Sequence, residues 1–232
     1  MTQATQEIPP RNHRLMQWTW TWAALALGWT TVTALVVLNT ERALRWLLFS
    51  GHARYVVFAA VGLMLLWSGV RRMVTERTAR MYLAAVATVF GLFGALLVFA
   101  LKLVPFLTIL ALSSFSLGAM VVVGLLSPFN LRKPRQALEI VRQVAELTLA
   151  GVTLGPELGW VETGLVILGL AAALVIIGDD SQTLADESRV VAEADVQRVA
   201  TTHAVDLYLS FFRLTLIFTQ LLRGKKKKKP KK

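Results

Sequence analysis

The sequence predicts an all-α, polytopic membrane helix bundle of six to seven transmembrane helices, with the last helix at its centre. Three observations carry that prediction. Hydrophobic residues make up 55% of the 232, charged residues only 17%, and mean hydropathy is +0.57, too apolar for a soluble domain. The apolar residues come in blocks of about twenty, the length that crosses a hydrocarbon core at about 1.5 Å per residue. The final block, residues 203–224, carries charge in its middle: His203, Asp206, Ser210, Arg213 and Gln220 recur at steps of three, four and seven. That spacing puts them on one face of a helix, with Leu207, Phe211, Leu214, Ile217, Phe218, Leu221 and Leu222 on the flanks and back. An ionised group at bilayer depth costs about 2.5–3.5 kcal/mol on the insertion scale, so this stripe must face protein or a wet cavity and find partners. The other spans are the apolar surround it needs.

In chain order, residues 1–14 are a polar leader ending in Arg11 and Arg14, without the apolar core and cleavage site of a signal peptide. A first span over 15–38 starts through Trp18, Trp20 and Trp22, an interfacial aromatic anchor. A connector with Arg42, Arg45 and Arg54 leads to a second span over 55–70, closed by Arg71 and Arg72. Residues 73–81 read as a short basic loop. The third span, 82–101, contains Gly91 and Gly94, which permit close helix approach. Lys102 and Pro105 mark a reversal into the fourth span, 106–126, where Ser114 and Gly118 form a small-xxx-small pattern expected to be a packing seam.

Residues 135–154 admit two readings. Glu139, Arg142 and Glu146 are three and four apart and can neutralise one another on a shared face, while Leu138, Val141, Val144, Ala145, Leu149 and Val152 make the opposite face apolar. The helix either crosses with an internally paired triad or lies in the interface. A clear span over 159–178 follows, ending in Asp179, Asp180, Ser181 and Gln182. An acidic connector then leads to the last helix, with His203 near its start as a polar cap or surface group. The organisation is thus a leader (1–14), a helical bundle (15–224) and a polybasic tail (225–232).

Seven lysines between Lys225 and Lys232 supply most of the net charge of +11; without them it is +4. Beside a membrane helix they are expected to attract anionic lipid headgroups, at about 1 kcal/mol per basic residue. Nucleic acid is not an expected partner, since no aromatic platform accompanies the lysines. Lysines and arginines in the first loops count nine against four in favour of a cytoplasmic N-terminus. Seven complete crossings would then carry the tail outside, and six would keep it inside.

Enzyme chemistry is not expected. The three histidines (His13, His52, His203) belong to no HExxH motif, and there is no GxSxG elbow and no phosphate-binding glycine loop. The serines between Ser113 and Ser116 lack a histidine partner within a span, and Asp180 with Asp206 lacks the flanking motifs of an aspartyl protease. The absence of cysteine excludes thiolate metal sites, and no resident metal or cofactor is expected.

The end of the chain resembles the Bax-inhibitor (transmembrane Bax inhibitor motif) family of seven-helix membrane proteins. Leu207-Tyr208-Leu209-Ser210-Phe211-Phe212 and Leu221-Leu222-Arg223-Gly224 look like that family's LYLDF…LLR..G last helix. Asp180-Ser181-Gln182 is similar to its aspartate-Thr-Gln/Asn motif, and the basic pair closing the second helix and the polybasic end also match. The resemblance implies a bacterial inner-membrane protein with a pH-sensitive latch on a calcium leak path, in which two aspartates share a proton and calcium passes only transiently. The first aspartate maps to Asp180. The second maps to Ser210, a neutral departure that Asp206, one turn earlier on the same face, could cover. Arg213 stands where the family often has asparagine, and the arginine that pairs with the latch maps to Arg71 or Arg72. No carboxylate lies within 55–70, another departure. A bacterial, YccA-like branch also carries serine at the Ser210 position and restrains a membrane-bound protease of the FtsH type, so the resemblance offers a second expectation: a modulator acting by protein–protein interaction.

Were Asp180 and Asp206 to approach each other, with Arg71 or Arg72 and Arg213 as counter-charges, they would titrate as a coupled pair, and protonation could switch packing. The alternative is static: Asp179 and Asp180 capping a following helix, and Asp206 and Arg213 forming a structural pair.

Overall fold

A computed structural model describes residues 13–49, 51–126, 137, 140, 143, 144 and 160–225. The described residues contain seven α-helices and no strand: α1 (His13–Asn39), α2 (Glu41–Phe49), α3 (His52–Val70), α4 (Glu76–Leu101), α5 (Leu103–Leu126), α6 (Trp160–Val190) and α7 (Val196–Lys225). All but the nine-residue α2 are long and apolar enough to cross a membrane. The protein is therefore an integral membrane helix bundle.

The last helix is the axis. In α7 78% of the most apolar window is buried inside the protein, against 17–50% in the other five spans. One side of α7, with Val205, Tyr208, Leu209 and Phe212, packs into α1, α3 and α4 around Phe90, Val86 and Ala87. The Phe90 and Phe212 rings stack at 3.5 Å. The other side, with Leu207, Leu214 and Ile217, packs on Val121 of α5 and on Val166, Ala173 and Ile177 of α6. Polar residues fit this buried helix because hydroxyls close their bonds onto the backbone one turn back: Thr215 donates to the Phe211 carbonyl (3.0 Å) and Thr219 to that of Thr215 (2.7 Å).

Pairings along the helices set their directions. Leu15 clusters with Val196 and Ala200, and Thr30 bonds Tyr208, so α1 runs parallel to α7. Arg80 reaches Gln197 and Phe90 packs on Tyr208, so α4 runs the same way. Lys102 alone links α4 to α5; its positive φ of 67° reverses the chain, so α5 runs back. Glu187 meets His203 and Leu184 meets Val196, so α6 also runs back. Consequently Leu126 and Trp160 lie towards opposite ends of the bundle, as do the start of α1 and the end of α7. The two readings of residues 135–154, and with them Glu139, Arg142 and Glu146, fall outside the described residues.

Several expectations are corrected. Residues 76–81 are not loop: Thr75 caps α4 by accepting the Thr78 N–H (3.3 Å), so the helix begins a turn and a half before its apolar part. The sixth helix does not end at Gly178. It runs to Val190, because Leu184 and Ala185 continue its buried face and no proline or glycine interrupts residues 179–190. Asp179 to Gln182 are accordingly helix interior, and the capping reading of Asp179 and Asp180 fails. The last helix starts at Val196, seven residues early, which takes His203 out of the cap position and buries it. The connector after α1 contains an amphipathic helix, α2, anchored by buried Leu47. Ser114 and Gly118 are exposed; the packed positions of α5 are Ser113 and Gly124 instead. Gly91 admits Thr33 of α1 within 2.5 Å of where a Cβ would stand, whereas Gly94 has only ordinary contact with Ala34.

Candidate functional site

The polar centre lies where the end of α3 meets the middle of α6 and α7. Helix α3 ends at Val70, and the 3-10 turn Arg71–Met73 follows; the Arg71 N–H still closes on the Trp67 carbonyl. Trp67 and Arg71 therefore keep helical i,i+4 spacing and project from one face. Both reach Asp206: the Trp67 indole Nε1–H donates to Oδ1 at 2.8 Å, and Arg71 Nη2 stands 2.8 Å from Oδ2. The other arm of the guanidinium, Nη1, is 3.6 Å from Asp180 Oδ1 on α6. One arginine thus bridges two carboxylates on antiparallel helices. Each aspartate side chain is only 7% exposed.

The electrostatics follow from that burial. Two carboxylates out of water are each strongly penalised, and the planar guanidinium offers separate N–H pairs to both. Arg71 stands 2.8 Å from Asp206 and 3.6 Å from Asp180, so one cation lies within ion-pair range of both carboxylates. Behind them the Trp67 ring packs on Tyr82 at 4.8 Å, and the Tyr82 hydroxyl donates to the Leu63 carbonyl, which locks the tryptophan against α4.

Of the sequence-derived site residues, the structure brings Asp180, Asp206 and Arg71 together. Ser210 and Arg213 lie further along α7, both buried, with Arg213 within electrostatic reach of Tyr82. The Arg72 side chain lies outside the described residues. His203 is buried one turn before Asp206 and pairs with Glu187 across the α6–α7 seam at 3.0 Å. Further along, the Thr215 hydroxyl lies 3.2 Å from that of Ser113 on α5, and buried polar groups recur on α7 from His203 to Gln220.

Two members of this constellation are not among the sequence-derived site residues: Trp67, within the second span, and Glu187, within the residues expected to form the acidic connector. The i,i+4 spacing of Trp67 and Arg71 was a usable signal for the first. For the second, the signal was that α6 could continue. Replacing Trp67 by Phe keeps the ring against Tyr82 and removes only the donor to Asp206. Hydrogen bonds inside membranes average under about 1 kcal/mol and those to charged acceptors are stronger, so a loss of about 1.5 kcal/mol is expected on reversible unfolding in bicelles.

Among the described residues no group of three or more His, Asp or Glu side chains is arranged to hold a metal ion. The geometry is that of two buried carboxylates bridged by one guanidinium. Neither the protein-family models nor the curated proteins contain a match to this chain.

Proposed function

We propose that this protein is a pH-sensitive regulator of ion passage, of the kind its resemblance to the Bax-inhibitor family implies, with calcium as the ion. The single observation that supports this reading is Arg71 bridging Asp180 and Asp206 within a buried seam. Protonating one carboxylate removes a charge the guanidinium holds and weakens its bridge between α3, α6 and α7. Those helices belong to opposite sides of the α7 axis, so a change there alters how the two halves of the bundle meet. The hydroxyls of Ser210, Thr215 and Thr219 continue the polar seam along α7, with Ser113 of α5 beside Thr215.

The same reading places the end carrying Arg14, Arg71, Arg77 and Arg80 in the cytoplasm by the positive-inside rule, which puts the end of α7 on the opposite side. Lysines from Lys225 onward would then meet the outer leaflet's headgroups.

The test is calcium flux into liposomes holding the purified protein, across a pH series. Wild type should show a flux that changes with pH, and Asp206→Asn and Asp180→Asn should each flatten that dependence. An unchanged pH response in both variants would falsify the latch. Absence of flux, together with co-purification of a large membrane-bound ATP-dependent protease, would favour the docking reading that Ser210 suggests.

A further inference from the structure

The bridged carboxylates are shut away from water, so a proton needs a way in. Arg71 is the more exposed neighbour, at 23%, but a guanidinium does not release its proton in a protein and cannot relay one. The other route is titratable. Glu187 on α6 has a side chain 41% exposed, and its Oε2 is 3.0 Å from Nε2 of His203, whose side chain is 4% exposed. His203 and Asp206 are three residues apart on α7, neighbours on the helix surface with about 5–6 Å between Cβ atoms. We infer that Glu187 and His203 form the proton inlet of the site. Glu187 takes a proton from water, His203 passes it across the α6–α7 seam, and Asp206 receives it. This rests on the reading of Asp180, Arg71 and Asp206 as a proton-exchanging site.

The step balances. A hydronium ion protonates the Glu187 carboxylate, and its O–H gives the proton to Nε2 of the neutral imidazole. The imidazolium then releases its Nδ1 proton through one water to the Asp206 carboxylate. One proton has entered at Glu187 and one is bound at Asp206. The imidazole is left in the opposite tautomer, and rotation about its Cβ–Cγ bond restores it.

The charged surroundings suit a relay. On α6, Asp179 and Asp180 lie about two turns inward from Glu187, while Asp186 and Arg189 lie beside it. On α7, Asp206 and Arg213 follow His203. Arg71 enters from α3 on Asp206 and Asp180. Arg14 of α1 pairs with Glu193 near the start of α7, and Arg80 of α4 is held by Glu76, Gln197 and the Trp22 ring on another face. The described residues of α5 carry no ionisable group. Net negative charge on the inner side draws the proton inward, and histidine is the side chain whose ordinary titration range makes it both acceptor and donor near neutral pH.

The experiment is a rapid acid jump on the full-length protein in liposomes, with the carboxylic-acid carbonyl stretch of the buried pair followed by time-resolved infrared. In wild type the band should appear fast, and Asp206→Asn should remove its Asp206 component. His203→Gln, which keeps a hydrogen-bonding side chain but cannot carry the proton, should slow its appearance at least about tenfold. Free imidazole in the buffer should restore much of the rate, a rescue that a merely structural histidine would not show. Glu187→Gln should slow it as well. A band that forms in His203→Gln at the wild-type rate overturns the inlet alone. A wild type in which no such band forms overturns the proton-exchanging site itself.

Discussion

Arg71→Met is expected to cost about 3–5 kcal/mol of folding stability, the largest single-residue effect outside the hydrophobic core. The methionine keeps the length of the side chain and removes its charge. Asp206 then loses a 2.8 Å counter-ion and Asp180 a 3.6 Å one, in side chains only 7% exposed. Breaking a buried pair by deleting one partner is costly because the remaining charge is stranded, whereas replacing the whole set by neutral groups is not. The triple variant Arg71→Met, Asp180→Asn, Asp206→Asn should therefore recover most of the loss. Arg71→Lys should fall between, since an ammonium cannot present two separate arms to two carboxylates. Reversible unfolding in bicelles, read by circular dichroism, gives all three numbers. A loss below about 1 kcal/mol in Arg71→Met would mean that the bridge does not hold the helices.

Gly124→Val is expected to destabilise by about 3 kcal/mol, as overpacking against an unyielding neighbour does. A Cβ at Gly124 would stand 2.4 Å from the Gly178 carbonyl oxygen, 2.9 Å from Ser181 Cβ and 3.0 Å from Gly178 Cα. Two of those atoms are backbone, so no side chain can turn aside, and α5 and α6 must separate. The contact lies two residues from Asp180, so the same substitution should also disturb the carboxylate's distance from Arg71 and shift the pH response of the flux. Gly118→Ala is the matched control: nothing lies within 4 Å of the added Cβ. Alanine there should leave stability within about 0.5 kcal/mol or raise it slightly through helix propensity. Equal losses at both positions would show that the close approach of α5 to α6 is not what Gly124 serves.

The candidate site was partly legible before any tertiary information. Asp206 declared itself because a carboxylate amid 22 mostly apolar residues has no cheap solution other than a partner. Asp180 and Arg71 were named through their resemblance to a known pattern, and the close pairing of the three is a matter of geometry. The burial of His203 was not legible, because it depends on where α6 stops. Hydropathy falls after Gly178, yet Leu184, Ala185 and Ser188 remain buried, so the helix outlasts the apolar block by three turns and carries Glu187 to the imidazole. The seam on α5 was misplaced for a related reason. Ser114 and Gly118 have the right spacing, but their direction around the helix decides whether they meet a neighbour, and they point outward while Ser113 and Gly124 point in.

What the sequence by itself determined was the solvent and the centre. Blocks of about twenty apolar residues specify helices in lipid, since only closed backbone hydrogen bonding survives there, and the one block with a polar stripe had to be the one the others surround. What only the tertiary structure decided was which polar groups satisfy one another: Trp67 and Arg71 on Asp206, Arg71 on Asp180, Glu187 on His203. Each of those pairs joins residues on different elements of the fold. Their distances depend on the angle and register at which helices cross, and side-chain periodicity within one helix carries no information about either.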